Sequence, residues 1–121
     1  MNTFRFFDFP VYGKTKAFFK EILILSEGIK IFSLRDQIRR AALSIILNIA
    51  EGSAKKSDKD FARFLQISIG SVNEVVACLD ILRDIKLIEE SNYQNLLYIS
   101  EEIAKQLGGF IKKLNQDINN N

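Results

Sequence analysis

"RRAALSIILNIAEGSAKKS", Arg39 to Ser57, is apolar through its first half and small, charged or polar through its second. On a helical wheel of about 100° per residue, Gln37, Arg40, Ser44, Asn48, Glu51 and Lys55 share one stripe roughly 80° wide. The rest of the segment is mostly apolar. Ile38, Ala42, Ile45 and Ile49 form one flank, Leu43, Leu47 and Ala50 the other, with Ile46 behind. A surface helix of a monomeric bundle needs only one apolar stripe. Two flanks imply two partners, one within the chain's own fold and one outside it.

Ser44, Asn48 and Glu51 form a polar seam between those flanks. We read it as a structural network that sets helix register, because polar groups left unsatisfied there would be costly. The expected pairings are Glu51 with Arg63 or Arg40, and Asn48 with a partner across a helix interface.

Outward from this stretch the chain reads as all-α. Its single proline, Pro10, suits the opening turn of a first helix over about 10–28. There Val11, Thr15, Phe18, Ile22, Leu25 and Ile29 recur in steps of three and four, and Gly28 is the expected C-cap. The second helix is expected over 33–53 with Ser33 as N-cap. The third spans 57–86, capped by Ser57 with Asp58 and Asp60 in its first turn. The fourth spans 91–118, opened by Ser91 with Gln94 in the capping-box position. Short connections between four such helices predict an antiparallel up-down-up-down bundle. Residues 1–9 stand apart as an arm carrying Phe4, Phe6, Phe7 and Phe9, which should dock on the bundle or on a neighbouring subunit. Residues 119–121 read as a frayed tail. Mid-helix Gly70, beside Ser71, costs about 1 kcal/mol against alanine. We read the pair as a close helix crossing in preference to a tolerated glycine.

With 121 residues, 47% hydrophobic and 26% charged, the chain is one domain able to bury a core without disulfides or metals. It contains no histidine and one cysteine, Cys78. That removes Ser-His and Cys-His nucleophile pairs, the Glu-x-x-His di-iron pattern and an internal disulfide. No phosphate loop or dinucleotide fingerprint is present. Neither a cofactor nor an enzymatic activity is expected, and Cys78 reads as a packing residue. No uninterrupted apolar run approaches the ~20 residues of a membrane span, and the start lacks the pattern of a signal peptide. A cytoplasmic location without membrane contact is the expectation.

The segment "QIRRAALSIILNIAEGSAKKSDKDFARFLQISIGSVNE", Gln37 to Glu74, resembles the signature of the bacterial 23S rRNA intervening-sequence proteins. "QIRRA", "NIAEGS", the "S-x-x-[DE]-F-x-R-F-L" start of the third helix and "GS-x-x-E" carry the likeness. "FPVYGKTKAFFKEI" resembles the family's lead into its first helix, and the resemblance weakens after about Lys86. It implies a four-helix bundle assembled as a ring-like homopentamer. It also raises nucleic acid as a candidate ligand, since some members are encoded within insertions in large-subunit ribosomal RNA genes.

The nucleic-acid candidates are Arg35, Arg39 and Arg40 at one end of the second helix, and Lys55, Lys56, Lys59 and Arg63 at the other. The two groups stand ~24 Å apart at about 1.5 Å per residue. The net charge is only +2, and solvated helix ends are the competing explanation. The functional expectation is a non-enzymatic homo-oligomeric scaffold, contacting RNA, DNA or an RNA-handling partner. The alternative is a protein-interaction module without nucleic-acid contact.

Overall fold

The computed structural model describes residues 3–120, with side chains to 119. A short 3-10 helix, Arg5–Asp8, precedes four α-helices: α1 (Pro10–Ser26), α2 (Phe32–Ser53), α3 (Asp58–Asp84) and α4 (Glu90–Asn120). No strand occurs among the described residues. α1 packs on α2, α2 on α3, α3 on α4, and α4 back on α1, while neither diagonal pair meets. Cross-helix contacts set the directions. Gln37 reaches Glu74, Ser44 reaches Ser71, and Gly52 lies against Phe61 and Phe64, so α2 and α3 run antiparallel. Arg39 on Ser26 does the same for α1 and α2, as Lys14 on Glu102 and Phe9 on Phe110 do for α1 and α4. For α3 and α4 the pairs are Phe61 with Phe110 and Arg83 with Tyr93.

The apolar periodicity becomes the core. Phe18, Ile22, Ile38, Ile45, Ile49, Phe61, Leu65, Val75, Leu79, Leu82, Ile103 and Leu107 are all fully buried. Each such side chain contributes about 1.5–3 kcal/mol on removal from water. α3 is, by length and composition, long and apolar enough to cross a bilayer, although polar residues keep it from being one uninterrupted apolar run. Less than half of its most apolar stretch is buried, one face filling the core and the rest pointing outward.

Several helix ends differ from their expected positions. α2 starts at Phe32 with Ile31 as N-cap and no side-chain cap, so Ser33 lies inside the first turn. Arg35 there stacks on Phe32 at 4.5 Å and pairs with Asp36, holding the turn without a hydroxyl cap. α1 ends at Ser26 with Glu27 as C-cap, and Gly28 does not take a left-handed conformation. In α4, Gln94 donates to Glu90 within the first turn rather than forming the expected box with Ser91. α3 ends at Asp84, two residues before the expected limit. Lys86 takes φ 63°, its N–H donates to the Arg83 carbonyl, and Leu87 N–H closes on Leu82. This is a Schellman ending with lysine where glycine is usual. At the start of α3, Ser57 accepts from the Asp60 N–H at 3.1 Å, as an N-cap does.

Residues 1 and 2 of the expected arm lie outside the described residues, as does residue 121 of the expected tail. Asn119 and Asn120 are the last residues of α4 rather than a separate tail. The described part of the arm docks on the chain's own bundle. Phe9 sits against Phe61 and Phe110, with ring centroids 6.1 and 5.1 Å away, and Phe6 lies 4.9 Å from Tyr12.

Candidate functional site

The polar seam lies in the groove between α2 and α3, half-buried at Ser44 and Asn48. Asn48 Nδ2 donates to the Ser44 carbonyl and to Ser44 Oγ at 2.9 and 3.0 Å, both within α2. At Ser44 and Asn48 the bonds that cross the interface come from α3: Ser71 Oγ to Ser44 Oγ at 2.9 Å, and buried Ser68 Oγ to the Ile45 carbonyl at 2.9 Å. Asn48 therefore acts through Ser44 and does not itself bridge the helices. Glu51 is exposed and, among the described residues, pairs with neither Arg63 nor Arg40, because Arg63 turns to Asp60 one turn back in α3. Ser68 completes the network and was not singled out from sequence. Its signal was a hydroxyl in the middle of an otherwise apolar face.

The expected close crossing at Gly70 is not present within the chain. Gly70 is exposed, with no heavy atom within 4 Å of where a Cβ would stand. Ser71, its neighbour, does face α2. The close approach is at Gly52, where a Cβ would meet Phe64 Cβ at 2.6 Å and Phe61 Cδ1 at 3.0 Å. A glycine in the "AEGS" of α2's last turn thus lets two phenylalanines of α3 close over it.

The basic candidates separate by environment. Arg39 is half-buried and committed to the end of α1, donating to Ser26 Oγ at 2.7 Å and to the Leu23 carbonyl at 3.4 Å. A guanidinium there satisfies groups at a helix C-terminus and complements its dipole. Arg39 is a structural latch, not a free cation. Arg40 is exposed on α2. At the opposite end, Lys55 and Arg63 both lie over the Phe64 ring, at 4.9 and 4.8 Å, with Lys56 and Lys59 exposed beside them. The fold adds a cation that sequence reading left out. Arg5 of the arm donates to the Ser53 carbonyl at 3.0 Å, capping α2, and its guanidinium lies 5.1 Å from the Phe61 centroid. Its signal was one arginine inside a run of four phenylalanines.

No group of three potential metal-ligating side chains occurs among the described residues. Cys78 is buried, and burial, with a smaller contribution from the Glu74 carboxylate, pushes its thiol pKa up and keeps it protonated at neutral pH. A groove of about 530 Å³ opens among α1, the α3–α4 connection and the start of α4, lined by Glu21, Ile24, Leu25, Leu87, Glu89 and Leu96 among others.

Residues 8–109 match the family described as 23S rRNA-intervening sequence protein. The fold is similar to the crystal structure of a protein with unknown function from the S23 ribosomal protein family of Bacteroides thetaiotaomicron VPI-5482. That likeness has a TM-score of 0.80 and 31% identity, and it covers 84% of this chain and 98% of the other. No curated protein matches. The small residues where α2 and α3 close, Gly52, Ser68 and Ser71, lie within the matched span, and the chain belongs to the 23S rRNA-intervening sequence protein family.

Proposed function

We propose that the protein is a non-enzymatic, cytoplasmic homo-oligomeric scaffold that needs no cofactor. Its copies meet through the outer sides of α2 and α3, and a ring-like homopentamer is the assembly the family resemblance favours. One observation carries the reading. Leu43 and Leu47 of α2, and Ile67 and Ile81 of α3, are 39–53% exposed on two neighbouring helices whose inner faces already fill the core. Large contiguous apolar surface on a lone bundle is a mark of an interface. A second copy of the same chain suits it, because the half-buried Ser44–Asn48 groove offers polar groups between the apolar positions that can set the register of that contact.

Light scattering after size exclusion tests this. The expected result is a pentamer mass, and Leu47→Glu with Ile67→Glu should reduce it to the monomer while helical circular dichroism is kept. A monomeric wild-type chain at micromolar concentration overturns the proposal.

A second reading, contact with RNA or DNA, is supported by the turn between α2 and α3. Lys55, Lys56 and Lys59 form no ion pair there among the described residues, and a ring of copies would repeat them. Phosphate affinity comes largely from releasing condensed counterions, so such binding must weaken steeply with salt. Absence of binding to both structured RNA and duplex DNA at low salt removes this reading and leaves a scaffold that acts through protein contacts alone.

A further inference from the structure

The family match runs from residue 8 to residue 109, and a residue beyond each limit, Arg5 and Phe110, lies against Phe61 at one end of the bundle. The arm before residue 8 folds back onto the α2 terminus, and Phe110, just past the match, packs on Phe9 and Phe61. Arg5 holds this arrangement by bonding the Ser53 carbonyl, one residue before the basic turn begins. The tie fixes the aromatic arm at Ser53, two residues before Lys55, although the two segments are some fifty residues apart along the chain. Phe4 and Phe7 remain 57% and 55% exposed on it, with ring centroids 6.3 Å apart in an edge-on arrangement. Cations and exposed rings, separate in sequence, therefore share one end of the molecule.

We propose that this end binds single-stranded nucleic acid, with unpaired bases stacking on Phe4 and Phe7 and the backbone phosphates held by Lys55, Lys56 and Lys59. The inference rests on the nucleic-acid reading above and narrows it to one class of strand. A duplex hides its base faces within its own stack, so exposed rings gain nothing from it. A single strand offers a π-face at every nucleotide, and base–aromatic stacking beside a cationic groove is the usual chemistry of sequence-tolerant binding. The acidic groups at this end include Asp8, Glu51, Asp58, Asp60 and, on the last turns of α4, Asp117, of which Asp60 is engaged by Arg63. Their presence makes electrostatics alone a weak source of affinity and leaves the rings as the discriminating element.

Fluorescence anisotropy with a labelled oligo(dT) and a duplex of equal length tests the proposal on the full chain. The single strand should bind more tightly than the duplex. Phe4→Ala with Phe7→Ala should weaken single-strand binding about tenfold or more, equivalent to at least ~1.4 kcal/mol, and leave duplex binding unchanged. Phe7→Tyr should retain single-strand affinity, since it keeps the ring. Replacing the three lysines by glutamine should lower the salt slope for the single strand by about 2. Equal binding of both forms, weakened alike by the lysine changes, would leave general nucleic-acid contact standing and overturn this inference. Unchanged single-strand affinity in the double phenylalanine variant would overturn it as well. No binding of either form ends both readings.

Discussion

Gly52 shows how a single residue type can decide an interface. The absent side chain leaves room for the Phe64 Cβ, which a methyl group would meet at 2.6 Å. That neighbour is the root of a side chain rather than its flexible end, so backbone must shift. Alanine is the better helix former by about 1 kcal/mol, but overpacking of a closed contact costs typically 1–3 kcal/mol. Gly52→Ala should therefore lower stability by up to roughly 2 kcal/mol in urea denaturation, the balance of those two effects. Arg39 makes a second residue-scale case. Its sequence position suggested a phosphate contact, but its guanidinium is spent on Ser26 and Leu23. Arg39→Ala should cost about 1.5–3 kcal/mol of stability, as expected for bonds from a charged donor, and leave any nucleic-acid affinity unchanged. A drop in affinity with intact stability would return Arg39 to the surface role. Neither assignment was legible from the residues alone. Both depend on which neighbour another helix brings within bonding distance.

Among the elements, α3 carries the most information. Ser57 caps it with a measurable bond, so Ser57→Ala should destabilise the protein by about 1 kcal/mol, read as a lower thermal or denaturant midpoint. Where the local sequence supplied a hydroxyl followed by two acids, the helix start was readable. Ser33 failed as the same kind of signal because Arg35 stacks on Phe32 and the turn opens one residue before the serine. The far end of α3 closes through Lys86 in a left-handed conformation, a choice with no glycine to announce it. Buried residues of α3 recur at the spacing expected for one helical face. Its outward residues, Ile67 and Ile81 among them, show that an apolar helix need not be apolar on one side only.

At the scale of the whole molecule, the exposed parts of α2 and α3 bear on assembly and the arm bears on ligand. If copies associate through Leu43, Leu47, Ile67 and Ile81, the thermal midpoint should rise with protein concentration, because association stabilises the folded chain by mass action. In the Leu47→Glu, Ile67→Glu variant that dependence should vanish. A midpoint independent of concentration in the wild type would argue against self-association. The number of helices, their core faces and the apolar excess of α2 were determined by the sequence, since helical periodicity and side-chain hydrophobicity are local properties that survive any arrangement of the helices. Tertiary structure alone decided that Gly52 rather than Gly70 is the close contact, and that Ser71 rather than Asn48 crosses between helices. It alone turned Arg39 inward and tied the aromatic arm to the end of α2 through Arg5 and the Ser53 carbonyl. Each of those outcomes depends on distances between segments far apart in the chain, which the order of residues does not contain until the helices pack.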